Sequence, residues 1–66
     1  LRSDDAVVMR PVVSVKSAPA ETGTKDLFIL HEGATLQLVD SVGEWCNIRL
    51  SDGREGWLKA EQLEII

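Results

Sequence analysis

Apolar and polar residues alternate along most of this chain with the two-residue period of β-strands, and turn-forming residues interrupt the alternation at short intervals. The clearest case is the pair of alternating runs on either side of Asp52-Gly53. An Asp-Gly pair between such runs is a strong short-range signal for a β-hairpin. With no helical period and only 66 residues, the pattern predicts one all-β domain, a small barrel of five to seven short strands.

The boundaries of the predicted elements follow from where the alternation starts and stops. Strands are predicted over 6–9, 12–16, 27–30, 35–39 and 63–66, with a hairpin over 43–58 and a single 3₁₀ turn over 59–62. Pro11 lacks the amide that a central strand needs, so the chain should bend there. Residues 1–5 are polar and are expected to be the remnant of a linker before a domain spanning 6–66.

Two segments of the pattern suggest a site. In the hairpin, Cys46, Ile48 and Leu50 should face the core, which places Trp45 on the opposite face. Residues 17–26 are small and turn-forming, so they predict a long surface loop, and long loops in small domains are often functional.

Composition and charge exclude several function classes. The net charge is −4 and the basic residues are scattered, which argues against a nucleic-acid partner. No apolar run approaches the ~18 residues of a membrane span, so direct membrane insertion by this segment is not expected. Cys46 is the only cysteine and His31 the only histidine, and they are predicted on opposite faces. We therefore expect no disulfide, no metal site, no cofactor and no enzymatic activity.

Five short motifs follow one another along the chain: Val13-Ser14-Val15-Lys16-Ser17-Ala18-Pro19, Leu30 with Gly33, Gly43 with Trp45 and Ile48, Asp52-Gly53, and Gly56-Trp57. Their order and spacing resemble those of bacterial Src homology 3 (SH3) domains. Lys16 replaces the usual Arg and Ala18 the usual Gly of the first motif. The resemblance covers 6–66 and implies a small barrel that binds or braces other molecules.

The resemblance also implies a setting. Domains of this kind are commonly accessory modules of cell-envelope proteins, including wall hydrolases. The segment is also similar to the C-terminal module of tetratricopeptide-repeat proteins from aerotolerance operons of Bacteroides-like bacteria. We expect a non-catalytic module of a larger envelope-associated bacterial protein, with a protein or short peptide as partner. The alternatives are a module that binds peptidoglycan stem peptides and a purely structural cap on helical repeats.

Residue by residue, the resemblance points to one surface. Eukaryotic relatives bind proline-rich peptides in a groove of Tyr, Trp and Pro side chains. Trp45 takes the place of the groove Trp, but Lys59 stands where the Pro would be and Gln62 where a Tyr would be, so proline-rich ligands are not expected. Trp45 is either an exposed anchor for a ligand or a ring lying flat over the barrel end, covering Val39 or Arg49.

The predicted loop contributes acidic residues to the same region. Glu21 and Asp26 lie in the loop beside the expected groove and could attract a cationic group such as a peptide amine, or could simply be solvated charges. The candidate binding residues are Trp45, Glu21, Asp26, Lys59 and Gln62. Trp57 is expected to pack across the strands as a structural residue.

Overall fold

The computed structural model describes residues 4–66, and within them seven antiparallel strands form a single sheet. A three-residue 3₁₀ helix, Ala60–Gln62, precedes the last strand. In chain order the strands are β1 (Asp5–Val8), β2 (Val12–Lys16), β3 (Asp26–His31), β4 (Thr35–Val42), β5 (Trp45–Arg49), β6 (Glu55–Lys59) and β7 (Leu63–Ile65). The predicted all-β barrel with one 3₁₀ turn near its end is confirmed.

The start of β1 and the end of β4 differ from the predicted bounds. β1 begins at Asp5, which pairs with Gln37 of β4, inside the segment expected to be a linker. Residues 1–3 of that segment lie outside the described residues. β4 runs to Val42 instead of ending at Val39, because a register shift between Leu38 and Asp40 lets the strand continue after its alternation breaks.

The inner face of the sheet forms the core. The strand order is β3-β2-β6-β5-β4-β1-β7, so the hairpin of β5 and β6 lies near the middle. As predicted, Ile48 and Leu50 are buried and Cys46 is half-buried against them. The remaining buried members of the core are Ala6, Val8, Val13, Val15, Leu30, Leu36 and Leu58.

The turn between β5 and β6 has three residues, 51–53, instead of two. The Leu50 N–H donates to the Arg54 carbonyl at 2.8 Å, and the Gly53 N–H donates to the Leu50 carbonyl at 2.9 Å. Gly53 has φ +95°, a conformation that residues with a Cβ adopt at a cost. The Asp-Gly signal therefore predicted the hairpin correctly, with Gly in the left-handed position of a bulged turn.

Gly56 marks the place where β6 meets β2. Only one backbone pair, Lys16 with Trp57, joins these two strands. A Cβ at position 56 would lie 2.2 Å from Val15 Cγ1 and 3.0 Å from the Lys16 carbonyl oxygen. The strands can approach this closely because residue 56 has no side chain.

Gly56→Ala should therefore destabilise the fold by about 1–3 kcal/mol, the usual cost of overpacking a core. The measurement is the free energy of unfolding from urea denaturation followed by tryptophan fluorescence. Ser51→Ala, in the exposed turn, is the control and should stay within about 0.5 kcal/mol of the wild type. An unchanged stability of Gly56→Ala would mean that Val15 can move aside without loss.

Candidate functional site

The register of β5 and β6 defines the outer face of the central hairpin. Three cross-strand pairs lie on this face: Trp45 with Lys59, Asn47 with Trp57, and Arg49 with Glu55. The last pair is an ion pair, with Arg49 Nε 2.8 Å from Glu55 Oε2. This face is the side of the strand on which the sequence predicted Trp45.

Trp45 lies on the outer face and is nevertheless covered, since only 9% of its surface is exposed. Lys59 lies over it, with the Nζ atom 5.6 Å from the ring centroid, within range of a cation–π interaction. Arg49, one of the two residues that the ring was expected to cover, forms an ion pair with Glu55. The ring is therefore a buried residue under a lysine and not a freely exposed anchor.

The Lys59 ammonium is held by a carboxylate from the long loop. It forms an ion pair with Glu21, which is exposed in the segment between β2 and β3. The hydrogen bond that the Lys59 ammonium donates to Glu21 is the main cause that raises the pKa of Lys59, and the negative charges of Glu21, Glu44 and Glu61 raise it further. We call Trp45, Lys59, Glu21, Glu44 and Glu61 the Lys59 cluster.

Gln62 fixes the backbone at Lys59. Its Oε1 accepts a hydrogen bond from the Lys59 N–H at 3.2 Å, across the first turn of the 3₁₀ helix. The Ala60 N–H donates to the Glu44 carbonyl at 2.9 Å, which joins this turn to the start of β5. These two bonds set the direction in which the Lys59 side chain leaves the backbone.

Asp26 lies in a different ion pair. Its Oδ1 is 2.7 Å from Lys16 Nζ, and that hydrogen bond and charge lower the pKa of Asp26. Asp26 is the first residue of β3, so the loop covers 17–25. The hydroxyls of Ser17 and Thr24, 2.8 Å apart, hold the two ends of that loop together.

The structure thus brings together four of the five candidate residues and leaves Asp26 apart. Glu21 and Asp26 each form an ion pair with a lysine of the same chain, which the sequence pattern did not reveal. Glu44 and Glu61 were missed as candidates, although each lies within two residues of Trp45 or Lys59. Their closeness to Trp45 and Lys59 in the sequence could have identified them as candidates.

Other chemistry-bearing residues lie elsewhere. Cys46 faces the core, and burial raises the pKa of its thiol. His31 is exposed at the end of β3. Within residues 4–66 no three His, Cys, Asp or Glu side chains converge as metal ligands, and no helix is long and apolar enough to cross a membrane.

A surface depression of about 530 Å³ lies away from the Lys59 cluster. Leu36, Arg49 and Ile66 are among its lining residues, and none of the five candidate residues contributes to it.

Comparison with known families agrees with this fold. The family model described as bacterial SH3 domain matches residues 5–64, nearly the whole chain. The chain belongs to the bacterial SH3 domain family. No curated protein and no solved structure matches it significantly. SH3 domains are generally non-catalytic modules that bind proteins or peptides.

In this bacterial SH3 domain, Lys59→Ala should uncover the Trp45 ring. In a Trp57→Phe background, which leaves Trp45 as the only tryptophan, the acrylamide quenching constant should rise and the emission maximum should move to longer wavelength. Lys16→Ala is the matched control, because it breaks the ion pair with Asp26 and not the cover over Trp45. Equal quenching in both variants would show that other groups shield the ring.

Cys46 should react slowly with iodoacetamide at pH 8 in the folded domain and faster in urea, because a raised pKa leaves less thiolate, which is the nucleophile. Mass spectrometry of the alkylated protein over time provides the rates. Equal rates with and without urea would contradict the burial of the thiol.

The raised pKa of the Cys46 thiol also predicts a pH dependence of stability. The unfolded chain ionises its thiol more readily, so the free energy of unfolding should fall as pH rises through the ordinary thiol range. Urea denaturation at several pH values measures this effect, and Cys46→Ala should lose that part of the pH dependence.

Proposed function

We propose that this domain is a non-catalytic interaction module that binds a cationic segment of a partner protein or peptide at the Lys59 cluster. One observation carries the proposal: the Trp45 ring and the Glu21 carboxylate already hold an ammonium group, that of Lys59. An aromatic face together with carboxylates is the environment that binds ammonium and guanidinium groups in proteins. A lysine or arginine of a partner has the same chemistry as the group now in place.

The charge balance of the cluster favours a positive ligand. Four ion pairs within residues 4–66 join one cation to one anion each: Lys16 with Asp26, Arg49 with Glu55, Arg54 with Asp52, and Lys59 with Glu21. Glu44 and Glu61 act on the same Lys59 ammonium as Glu21. Negative charge therefore exceeds positive charge around this ammonium, and the excess favours a second cation.

Displacing Lys59 from Glu21 would cost little. Glu21 is mostly exposed, and exposed ion pairs contribute only about 0–1 kcal/mol because water and salt screen them. A partner cation can therefore share or replace the Lys59 contact, while the core that holds β5 and β6 stays intact. This reversibility is what an interaction module requires.

The setting that we propose is a larger envelope-associated bacterial protein. It rests on the kinds of protein that carry such domains. We also propose that this larger protein contains tetratricopeptide repeats. The free amine of a peptidoglycan stem peptide has the chemistry that the cluster favours, so the cell wall is a second candidate source of the ligand.

The proposal predicts binding of the peptide acetyl-Gly-Lys-Gly-Lys-Gly-amide, followed by NMR shifts at the cluster. Glu44→Gln and Glu61→Gln should each weaken binding about two- to fivefold, the effect of losing one exposed charge pair. Glu64→Gln on β7 is the matched control with the same change of charge and should bind as the wild type does. Equal weakening by all three variants, or equal binding of a peptide with Gln in place of Lys, would contradict a specific site.

Trp45→Ala is not a suitable test. The ring is buried, and replacing a buried Trp by Ala lowers the free energy of unfolding by about 3–5 kcal/mol. This loss is a large part of the total stability of a small domain, so the variant is expected to unfold. The carboxylates are exposed, so their substitution tests binding without that loss.

Sedimentation with purified sacculi separates the ligand sources. Pelleting that Glu44→Gln and Glu61→Gln reduce, and Glu64→Gln does not, would assign the cluster to peptidoglycan peptides. Binding of the lysine peptide without pelleting would leave a protein partner. Failure of both would favour a structural cap.

A further inference from the structure

β3 lies at one edge of the sheet and pairs on one side only among residues 4–66, with β2. Its free side is two strands away from β6, which carries Lys59. An edge strand presents unpaired N–H and C=O groups to any extended chain that approaches it. The free edge of β3 is therefore a surface distinct from the Lys59 cluster.

The hydrogen bonds at the two ends of the β2–β3 hairpin show which backbone groups are free. The Ser17 N–H donates to the Lys25 carbonyl at 2.9 Å, and the Glu32 N–H donates to the Pro11 carbonyl at 3.3 Å. Because hydrogen-bonded and non-bonded pairs alternate in antiparallel sheets, the odd-numbered residues of β2 bond to β3 and the even-numbered ones do not. Ile29 and His31 lie opposite even-numbered residues, Ser14 and Val12.

Ile29 therefore directs both its N–H and its C=O away from β2. His31 directs its N–H away as well, while its carbonyl accepts a hydrogen bond from the Ala34 N–H at 3.1 Å. These groups lie along one line at the spacing of a β-strand. Backbone groups in this arrangement match those of an extended peptide that adds to the sheet as a strand.

The side chains beside these backbone groups are apolar and exposed to solvent. Ile29 is 58% exposed, and Val12, its diagonal neighbour on the outer face, is also 58% exposed. β3 contains no Lys and no Pro, the residues that commonly block pairing at an edge. The opposite edge, β7, has only three residues with Glu64 at its centre. Of the two edge strands within residues 4–66, β3 is the one long enough to pair with a further strand.

Charge distinguishes the possible occupants. In a symmetric pairing of two copies around Ile29, Asp26 of one copy would face Glu32 of the other, and each copy carries a net charge of −4. Glu32 is exposed and forms no ion pair with a cation within residues 4–66. A foreign strand with a basic residue opposite Glu32 meets neither difficulty and adds an attraction.

We propose that the β3 edge binds an extended segment of a partner polypeptide as an additional antiparallel strand, with apolar side chains beside Ile29 and a basic residue opposite Glu32. The partner's backbone bonds to the Ile29 N–H and C=O and to the His31 N–H. Its apolar side chains cover Ile29 and Val12. The segment enters with its N-terminal end at Glu32, because the pairing is antiparallel.

The test uses the peptide Lys-Val-Thr-Val-Thr-Val, acetylated and amidated at its ends, which places Lys opposite Glu32 and Val opposite Ile29. NMR titration of the whole chain should show saturable shifts of the Ile29 and His31 amides and slower hydrogen exchange at both. Ile29→Pro removes an N–H that faces solvent and leaves the pairing with β2 intact. It should weaken binding about fivefold, which is about 1 kcal/mol for one lost backbone hydrogen bond.

Two controls test the specificity of this binding. Val39→Thr changes an exposed apolar residue outside β3 and should bind the peptide normally. The peptide with Glu in place of Lys should bind more weakly than the original. Shifts at Trp45 and Lys59 in place of Ile29, or normal binding by Ile29→Pro, would overturn the proposal. Concentration-dependent protection of the Ile29 amide without peptide would also overturn it and assign the edge to a second copy.

Discussion

The contact between β2 and β6 is the constraint on which the rest of the structure depends. One backbone pair, Lys16 with Trp57, joins these strands, and it forms only because Gly56 leaves room for Val15 and for the Lys16 carbonyl. Through this junction the β2–β3 hairpin becomes continuous with the central sheet. The hairpin carries both the long loop with Glu21 and the free edge of β3, so the position of each follows from one close approach.

The apolar core, and not the ion pair at its surface, holds that hairpin in place. Val13, Val15 and Leu30 are buried on its inner face. Each buried side chain of this size contributes about 1.5–3 kcal/mol, whereas an exposed pair such as Lys59 with Glu21 contributes about 0–1 kcal/mol. The loop therefore reaches Lys59 because the core places it there. Opening the ion pair should therefore change the surface and leave the fold unchanged, as the proposed binding requires.

The sequence predicted most of the fold because its signals are local. The two-residue period assigns Ile48 and Leu50 to the core and Trp45 to the outer face, and the Asp52-Gly53 turn fixes the order of β5 and β6. The cover over Trp45 could not be predicted in this way. Strand parity tells on which side a residue lies, but the pairing of Lys59 with Glu21 depends on two segments that meet only after the barrel closes.

The small size of the domain explains why its candidate site and its stability share a residue. A chain of 66 residues buries only about 60% of the surface that its unfolded form exposes, so its core is too small to enclose the Trp45 ring as well. Trp45 is instead covered from outside by Lys59, whose Nζ atom lies over the ring at 5.6 Å from its centroid. The lysine thus shields apolar area and holds a positive charge against the ring. Because one side chain does both, a proposed ligand cation that replaces Lys59 must also cover the ring with its own apolar atoms, whereas one that shares the contact with Glu21 need not.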